Sequence, residues 1–253
     1  MYDVIIVGAG MAGMVSAIYV ARAGLSVLVL EAGAVGGQIL GSLEVSNWPG
    51  EEKISGAKLM ENVHKQVKNL NVEIEYEKVE KVIKNNDKFT IVTDEGEYES
   101  RAVILAMGRE ERKLSEKQAQ DAGERPISYC ATCDGALYKG KKVVVIGSGN
   151  TAKHEIKYLK GICSKVYHIH HDEPIPPEAE AVFVAIGRVP ATEMVKDLVD
   201  LDETGYVVAG EDCVTSCPGV FVAGDVRTKN LRQLVTAAGD GATAGEAAID
   251  FLK

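Results

Sequence analysis

The stretch "YDVIIVGAGMAGMVSAIYVARAGLSVLVLE", residues Tyr2–Glu31, has the pattern of a strand, a glycine-rich turn, a helix and a second strand. Asp3–Val7 is an apolar run that leads into the turn, and Met11–Ala23 has apolar residues at helical spacing. A second apolar run, Ser26–Leu30, follows. Two strands joined by a helix in this way open a nucleotide-binding α/β sheet, so the stretch predicts that fold.

The turn carries the spacing G-x-G-x-x-G at Gly8, Gly10 and Gly13. The first glycine permits a tight turn, the second lets the backbone approach a pyrophosphate, and the third lets the helix pack on the strand. Glu31 lies 23 positions after Gly8, where a carboxylate accepts hydrogen bonds from a ribose. Because this carboxylate suits FAD and NAD equally, the turn predicts a dinucleotide site without identifying the dinucleotide.

A second unit of the same order begins at Lys142, and its turn, Gly147, Gly149 and Ala152, matches G-x-G-x-x-G/A. The position 23 after Gly147 is His170, within "HIHHDEP". A ribose 2′-hydroxyl requires Asp or Glu there, and a 2′-phosphate requires arginine. The second site therefore lacks the residues that recognise a pyridine nucleotide.

The second unit is also short. Only 34 residues separate Gly147 from the apolar run "AVFVAIG" that starts at Ala181, which is about one βαβ unit of ~30 residues. Pro174, Pro176 and Pro177 form a stiff connection where a further strand and helix are expected. We expect this unit to have lost its nucleotide site, and weak residual binding of NADPH is the alternative.

The segment "SYCATCDG", Ser128–Gly135, carries a C-x-x-C pair, Cys130 and Cys133, followed directly by Asp134. Cysteines at this spacing form a small disulfide, and a local positive potential lowers the pKa of one thiol. Asp134 is placed to move the thiol proton. The alternatives are two structural cysteines or half of a zinc site, but no second C-x-x-C or spaced histidine pair supplies the other zinc ligands.

The other three cysteines have no comparable motif. Cys163 is expected to pack at a helix end, and Cys213 and Cys217 are expected to be incidental thiols, with a second redox pair as the alternative. Five cysteines spaced so unevenly do not form the disulfide framework of a secreted protein, so a reducing compartment is expected.

Further motifs along the chain resemble the flavoprotein disulfide reductases, and among them the low-molecular-weight thioredoxin reductase family. They are "GGQ" at Gly36–Gln38, "NWPG" at Asn47–Gly50, "AMG" at Ala106–Gly108, "VAGDV" at Val222–Val226 and "RQLVTAAGDGATA" at Arg232–Ala244. The resemblance covers nearly the whole chain except Val166–Arg188.

This resemblance implies FAD as the cofactor and assigns a role to each matching residue. Asp225 would bind a ribitol hydroxyl, Cys133 would face the flavin, and Cys130 would attack the substrate disulfide with Asp134 as the acid. Asn47, Arg232 and Gln233 would lie near the flavin. The positions that match the FAD site are Gly8, Gly10, Gly13, Glu31, Gly36, Gly37, Gln38, Asn47, Gly108, Gly224, Asp225, Arg232 and Gln233.

The fold class predicted is α/β, a two-domain FAD-binding Rossmann-like (three-layer ββα) fold with a truncated second Rossmann-like domain that carries the redox C-x-x-C. Residues 1–113 and 189–253 are assigned to a discontinuous FAD-binding domain. Residues 114–188 are assigned to the shortened pyridine-nucleotide-type domain with the "CATC" motif. Two connections between the domains permit a hinge.

Composition excludes several classes of function. The net charge is −9 and no basic run occurs, so a nucleic-acid or anionic-membrane partner is not expected. No apolar run approaches the ~18 residues of a membrane span, and the N-terminus lacks the basic start of a signal peptide. A cytoplasmic location is expected.

The function predicted is an FAD-dependent thioredoxin-disulfide reductase that acts without a pyridine nucleotide. The chain resembles ferredoxin-dependent flavin thioredoxin reductases, which implies thioredoxin and reduced ferredoxin as partners and a homodimer. Two groups of cations are candidates for docking an acidic ferredoxin. The groups are Arg109, Arg112, Lys113 and Lys117, and Arg227, Lys229 and Arg232.

Three alternatives remain open. The first is an NADPH-dependent thioredoxin reductase with an atypical nucleotide site. The second is a disulfide reductase or oxidase that serves another thiol partner. The third is a non-enzymatic, flavin-bound redox sensor, against which the intact "CATCD" argues.

Overall fold

The computed structural model describes the backbone of all 253 residues and every side chain except that of Cys133. The chain divides into two compact units. Unit 1 comprises Met1–Arg109 and Pro190–Lys253, and unit 2 comprises Glu110–Val189. These boundaries lie a few residues from the domain boundaries expected from the sequence.

The described residues form thirteen strands and six α-helices. The strands are β1 (Tyr2–Val7), β2 (Val27–Leu30), β3 (Glu73–Glu75), β4 (Val79–Asn85), β5 (Lys88–Thr93), β6 (Glu97–Leu105), β7 (Arg109–Glu111), β8 (Ile127–Ser128), β9 (Lys142–Ile146), β10 (Lys165–Ile169), β11 (Ala181–Val184), β12 (Arg188–Pro190) and β13 (Val220–Val222). The helices are α1 (Met11–Arg22), α2 (Gly56–Lys68), α3 (Glu116–Ala122), α4 (Ala131–Asp134), α5 (Asn150–Lys160) and α6 (Leu234–Leu252).

Unit 1 is built on a seven-stranded sheet with the order β3-β2-β1-β6-β5-β4, in which β13 also pairs with β6. Strand β1 is apolar from Val4 to Val7 because both faces of this part of the strand are buried. Val4 and Ile6 pack in the cluster that contains α1 and α6, whereas Ile5 and Val7 pack in the cluster on the other face.

The middle of unit 1 departs from the sequence-based expectation. The apolar residues of Val72–Val82 predict a single strand of a small meander, but the stretch contains β3 and the start of β4, which have different neighbours. Strand β3 pairs in parallel with β2, and β4 pairs antiparallel with β5. The first half of β6 pairs with β5 and its last residues pair with β13, so this long strand joins the meander to the parallel part of the sheet.

Unit 2 is built on a smaller sheet with the strand order β10-β9-β11-β8, and all of its pairs are parallel. Val143, Val145 and Phe183 pack in the apolar cluster that Leu159 of α5 completes. The polar, charged stretch 109–125 contains β7 and α3. Helix α3 begins after Ser115, whose hydroxyl accepts the N–H of Gln118 and caps the helix.

The two connections between the units lie in β7 and β12, which pair with each other as a two-stranded sheet. Among the helices that the structure describes, none is long and apolar enough to cross a membrane.

Candidate active site

The first glycine-rich turn lies at the carboxyl edge of the parallel strands of unit 1. Val7, the last residue of β1, is in register with Leu30 of β2 and Leu105 of β6. Leu105 is in turn in register with Val222 of β13. Because neighbouring parallel strands end together, the segments that follow them meet at one edge of the sheet, where open α/β sheets bind ligands.

The three glycines of the turn meet different surroundings. A Cβ on Gly8, which has φ +102°, would lie 2.5 Å from the Ala106 carbonyl oxygen. A Cβ on Gly13 would lie 1.9 Å from the Gly8 carbonyl oxygen, so helix α1 packs against the turn only with glycine there. A Cβ on Gly10 would meet no protein atom within 4 Å. The backbone at Gly10 is therefore open to a ligand.

Glu31 is held beside this turn by two backbone groups. Its Oε2 accepts the Ala9 N–H at 2.7 Å, and its Oε1 accepts the Gly33 N–H at 2.8 Å. Each carboxylate oxygen has a second lone pair, so the side chain is oriented and can still accept hydroxyl groups. This arrangement fits the role in binding a ribose that the sequence suggested.

The "GGQ" segment lies against the same turn. Gly36, which has φ +124°, donates its N–H to the Ala9 carbonyl oxygen at 2.9 Å. The side chain of Gln38 donates from Nε2 to the Arg109 carbonyl oxygen at 2.8 Å, next to Gly108. Gly37 and Gly108 also have positive φ angles. The predicted residues of three separate segments are thus brought to one edge of the sheet.

Asp225 forms an ion pair that the sequence did not predict. Its Oδ2 accepts Nη2 of Arg109 at 2.8 Å, and both side chains are largely buried. The Nε atom of Arg109 is buried without a hydrogen-bond partner among the described residues. Gly224, just before Asp225, would place a Cβ 2.9 Å from the Cβ of Ala12 on α1. Asp225 therefore lies close to the first turn of α1.

Asn47, Arg232 and Gln233 lie around the start of α6. The Asn47 side chain donates to Oε1 of Gln233, the N-cap residue, at 3.0 Å. The guanidinium of Arg232 lies 4.0 Å from the centre of the Tyr206 ring and donates to the Asp225 carbonyl oxygen at 3.2 Å. All thirteen residues predicted to bind the cofactor lie within unit 1.

These residues fit FAD. The open backbone at Gly10 lies at the N-terminus of α1, which favours a pyrophosphate. Glu31 has acceptor capacity for a ribose. The buried, unpartnered Nε of Arg109 lies beside Asp225 and supplies a donor that the protein itself does not satisfy.

Asp240 on α6 forms hydrogen bonds with the segment that contains Asp225. Its Oδ2 accepts from Nε of Arg227 at 3.0 Å, from Nζ of Lys229 at 2.6 Å and from the Gly224 N–H at 3.0 Å. The Arg227 and Lys229 side chains are 8% and 7% exposed. The prediction that these two cations dock ferredoxin is therefore wrong, because both are buried in ion pairs with Asp240.

The redox motif follows β8 at the carboxyl edge of the sheet of unit 2, and Cys130 is a disulfide-bonded cysteine. The Ser128 hydroxyl accepts the Cys130 N–H at 3.1 Å and donates to Oδ2 of Asp134 at 2.7 Å. Asp134 is thereby linked to the backbone of Cys130 through one hydroxyl group. The predicted role of Cys133 rests on a side chain that lies outside the described residues.

Glu155 lies beneath the motif, on α5, and was not predicted from the sequence. The backbone N–H of Ala131 donates to its carboxylate. Burial raises the pKa of Glu155 to about 7, although the Ala131 N–H and the charge of Arg188 act in the opposite direction. The pKa of Glu155 is raised by burial. Helical spacing gives a sign of this burial, because Glu155 lies three residues after Ala152 and four before Leu159, the buried residues of α5.

The second glycine-rich turn has the backbone of the first but different side-chain contacts. A Cβ on Gly147, which has φ +143°, would lie 2.2 Å from the Ala185 carbonyl oxygen, and one on Gly149 would meet nothing within 4 Å. His170 occupies the position of Glu31, and its Nδ1 lies 2.7 Å from the Ser148 hydroxyl. Ser148 is the counterpart of Ala9, so an imidazole–hydroxyl contact replaces the carboxylate–amide contact.

A cavity of about 410 Å³ adjoins this second turn. Its polar lining includes Arg112, Ser148, Thr151 and His171. The N–H of His170 is bonded to Glu173, and His171 is paired with Asp172. The cavity thus retains space and hydrogen-bonding groups, but the described residues that line it include no carboxylate.

Cys163, Cys213 and Cys217 are free thiols in the structure, and Cys213 and Cys217 are buried. Burial, followed by the charge of Asp240, raises the pKa of Cys213 to about 11. Within the part of the chain that the structure describes, no group of three or more His, Cys, Asp or Glu side chains is arranged to hold a metal ion.

Comparison with known proteins identifies relatives along the whole chain. The model of the pyridine nucleotide-disulphide oxidoreductase family matches residues 2–179 and 176–241. The two matched pieces meet in the Pro-rich turn after His170. The family pattern is therefore interrupted at the point where the sequence suggested a missing strand and helix.

Curated relatives are similar over nearly their full length. A thioredoxin reductase of Listeria innocua is 35% identical over 301 aligned positions, which cover 100% of this chain and 94% of the relative. A thioredoxin reductase of Treponema pallidum is 36% identical, with 99% and 97% covered. The first alignment is longer than the 253 residues of this chain, so the relative has residues that this chain lacks.

Solved structures agree with the fold. A thioredoxin reductase of Lactococcus lactis in the FR conformation has a TM-score of 0.89 at 31% identity, covering 100% of this chain and 99% of that one. A ferredoxin-flavin thioredoxin reductase of Clostridium acetobutylicum has a TM-score of 0.64 at 30% identity, covering 98% and 97%. The fold is thus the FAD-binding Rossmann-like α/β fold of these enzymes.

Proposed function

The chain belongs to the pyridine nucleotide-disulphide oxidoreductase family, and from that membership we propose that it is an FAD-dependent thioredoxin-disulfide reductase whose electrons come from a protein donor. Disulfide reductase activity is supported by the disulfide-bonded Cys130 in "CATCD", which is linked to Asp134 through Ser128. The choice of a protein as electron donor, in place of a pyridine nucleotide, is supported by the contact between Ser148 and His170.

FAD is the cofactor, and when bound it supplies a pair of electrons to a disulfide. In this proposal Gly10 and the start of α1 contact the pyrophosphate, and Glu31 accepts hydrogen bonds from the ribose. Asp225 binds the ribitol, and its pair with Arg109 holds the carboxylate in place. Asn47, Arg232 and Gln233 line the site around the flavin.

The residues of unit 2 handle the sulfur chemistry. Cys130 is partly exposed, so once it is reduced its thiolate can attack the disulfide of thioredoxin and form a mixed disulfide. We assign to Cys133 the thiol that then resolves this mixed disulfide. Asp134 is the proton carrier, and its bond to the Ser128 hydroxyl keeps its carboxyl group beside the motif.

Reduced ferredoxin is the donor that we propose. The second turn offers a histidine where a nucleotide requires a carboxylate or an arginine, and the family match is interrupted immediately afterwards. Arg112, Lys113 and Lys117 are exposed and are the cations left for an acidic partner, since Arg109 pairs with Asp225 and Arg232 stacks on Tyr206 within the proposed flavin site. A similar chain in Clostridium acetobutylicum is a ferredoxin-flavin thioredoxin reductase.

The test is an anaerobic titration of the protein with bound FAD, in which NADPH, NADH and reduced ferredoxin are added in parallel. We expect ferredoxin alone to bleach the flavin at a catalytic rate and to generate thiols at Cys130 and Cys133. Flavin bleaching without new thiols would favour a redox sensor. Reduction of glutaredoxin but not thioredoxin by the same preparation would assign another thiol partner.

An NADPH-dependent reductase is the second candidate, and the cavity of about 410 Å³ beside Gly147 and Gly149 is the observation in its favour. Catalytic bleaching of the flavin by NADPH would establish it and would remove the ferredoxin proposal. We also propose a homodimer, by analogy with the family, and sedimentation of the protein with bound FAD at the mass of one chain would contradict it.

A further inference from the structure

Glu155 takes no part in the thiol chemistry of Cys130 and Asp134, yet its carboxylate contacts the backbone of the redox motif. Its carboxylate accepts the N–H of Ala131, and this amide nitrogen is bonded to the carbonyl carbon of Cys130. The carboxylate therefore lies one peptide group from the reactive cysteine. Its other oxygen, Oε2, is enclosed and has no hydrogen-bond partner among the described residues.

The surroundings of Glu155 favour its neutral form. Desolvation is the largest influence on this carboxyl group, and the cation that acts on it is Arg188. Arg188 is itself bonded to Glu111 at 3.1 Å, so part of its charge is already balanced. Asp134, the carboxylate on α4, is directed to Ser128.

Other elements packed against α5 also carry titratable groups. They are Tyr138 after α4, Lys142 on β9, and Lys165, Tyr167 and His168 on β10. His168 is bonded to the Gly147 carbonyl oxygen, and Lys165 lies over the ring of Tyr167. None of these groups is among the influences on the Glu155 carboxyl, which are burial, the Ala131 N–H and Arg188.

We propose that Glu155 is a positioning residue for the redox pair, and that it takes up a proton when the disulfide of Cys130 is reduced. The proposal rests on the proposed function only for the source of the electrons, which is the reduced flavin. The S–S bond breaks as it accepts two electrons, the partner sulfur takes one proton from solvent and becomes a thiol, and the sulfur of Cys130 remains a thiolate. The second proton goes from solvent to the Glu155 carboxylate.

The physical reason is repulsion between like charges. An ionised Glu155 and a thiolate on Cys130 repel each other, because only the peptide group between Cys130 and Ala131 separates them. Formation of the thiolate therefore favours the protonated form of the Glu155 carboxyl group. The coupling acts in both directions, because an ionised Glu155 equally disfavours the thiolate. Above the pKa of Glu155, reduction must include this extra proton, and below that pKa the carboxyl is already neutral.

The experiment compares the wild-type protein with Glu155→Gln, both with bound FAD and full length. The fraction of Cys130 in the disulfide form is measured against a dithiothreitol redox buffer from pH 6 to pH 8.5, by thiol alkylation and mass spectrometry. We expect equal reduction at pH 6, and at pH 8 a dithiol that forms about three- to tenfold more readily in Glu155→Gln than in wild type.

The matched control is Glu178→Gln, which removes the same charge from an exposed position in unit 2. Its equilibrium should follow the wild type at every pH. Superimposable curves for wild type and Glu155→Gln would overturn the proposal, and so would an equal shift in Glu178→Gln. Because dithiothreitol is the reductant, the result is independent of ferredoxin, NADPH and thioredoxin, and a failure of the proposed function is distinguishable.

A second measurement decides the matter if Glu155→Gln fails to fold. The reduced-minus-oxidised infrared difference spectrum at pH 8 should gain the band of a protonated carboxyl group in the protein with native Glu155. The band should persist in Asp134→Asn, which excludes Asp134 as its source. A spectrum of Asp134→Asn without this band would overturn the proposal.

Discussion

The Asp240 carboxylate connects several segments of unit 1 through hydrogen bonds. It accepts hydrogen bonds from two cations that are almost fully buried, Arg227 and Lys229, and from the backbone of Gly224. Breaking a buried ion pair by removing one partner typically destabilises a protein by about 3–5 kcal/mol, because the remaining charge stays buried.

We expect Asp240→Asn to lower the free energy of unfolding by about 3 kcal/mol or more, measured by urea denaturation. Asp250→Asn is the control, since its ion pair with Lys253 is 70% exposed on both sides and is expected to contribute about 0–1 kcal/mol. Equal effects of the two substitutions would show that the Asp240 contacts do not stabilise the fold.

Cys213 is expected to be inert, because burial raises the pKa of its thiol to about 11 and only the thiolate reacts. In the native protein at pH 8, a thiol-specific disulfide reagent should leave Cys213 unmodified, and unfolding in urea should expose it. Cys213→Ser should retain reductase activity. Rapid native labelling, or a Cys213–Cys217 disulfide under mild oxidation, would revive the idea of a second redox pair.

The two glycine-rich turns give a matched comparison between elements of the same shape. Gly10 and Gly149 occupy equivalent positions, and in each case an added Cβ would meet no protein atom within 4 Å. Substitution by alanine should therefore leave folding intact at both positions, so any effect reports on a ligand that approaches the backbone.

We expect Gly10→Ala to weaken FAD binding at least tenfold, measured by flavin fluorescence in a dilution series, because the methyl group occupies the path of the pyrophosphate. Gly149→Ala should change neither FAD affinity nor turnover with reduced ferredoxin. A rise in the apparent KM for NADPH in Gly149→Ala would instead show that the second turn binds a nucleotide.

The sequence predicted elements well where a local pattern determines them. The opening unit from β1 to β2 and the second turn follow from glycine spacing and apolar periodicity. Strand β3 was missed as a separate element because its parallel partner β2 is distant in sequence. Arg227 and Lys229 were interpreted as surface cations because a run of charges does not show that Asp240 faces it from the next helix.

At the candidate site, the sequence likewise did not predict the contacts of Glu155 and of the Arg109–Asp225 pair, because these contacts form only in the folded chain. The glycines and Glu31 belong to a spacing pattern, so their contacts could be anticipated. Glu155 acquires its importance from burial and from one amide group of α4. Arg109 directly follows the "AMG" motif, but its partner comes from a segment more than one hundred residues later.

For the protein as a whole, the proposed function predicts a defined intermediate with its partner. Cys133→Ser should accumulate a mixed disulfide between Cys130 and a thioredoxin whose resolving cysteine is replaced and whose attacking cysteine is first activated as a mixed disulfide with thionitrobenzoate. The Cys130 thiolate displaces thionitrobenzoate, and no second thiol remains to release the product. Non-reducing gel electrophoresis followed by mass spectrometry identifies the linked cysteines. Cys130→Ser is the control and should give no such product, and the reverse pattern would exchange the two assigned roles.

The paired strands β7 and β12 have a consequence for how such a protein can change over generations. Unit 1 leaves off at Arg109 and resumes at Pro190, and the Ala191 N–H bonds to the Gly108 carbonyl oxygen at 3.4 Å. The two cut ends of its chain are thus neighbours that a short hairpin loop can join. Unit 2 is an insert that mutation can shorten, erode or exchange without disturbing the sheet that carries the first glycine-rich turn. The replacement of one electron donor by another then requires changes within unit 2 alone.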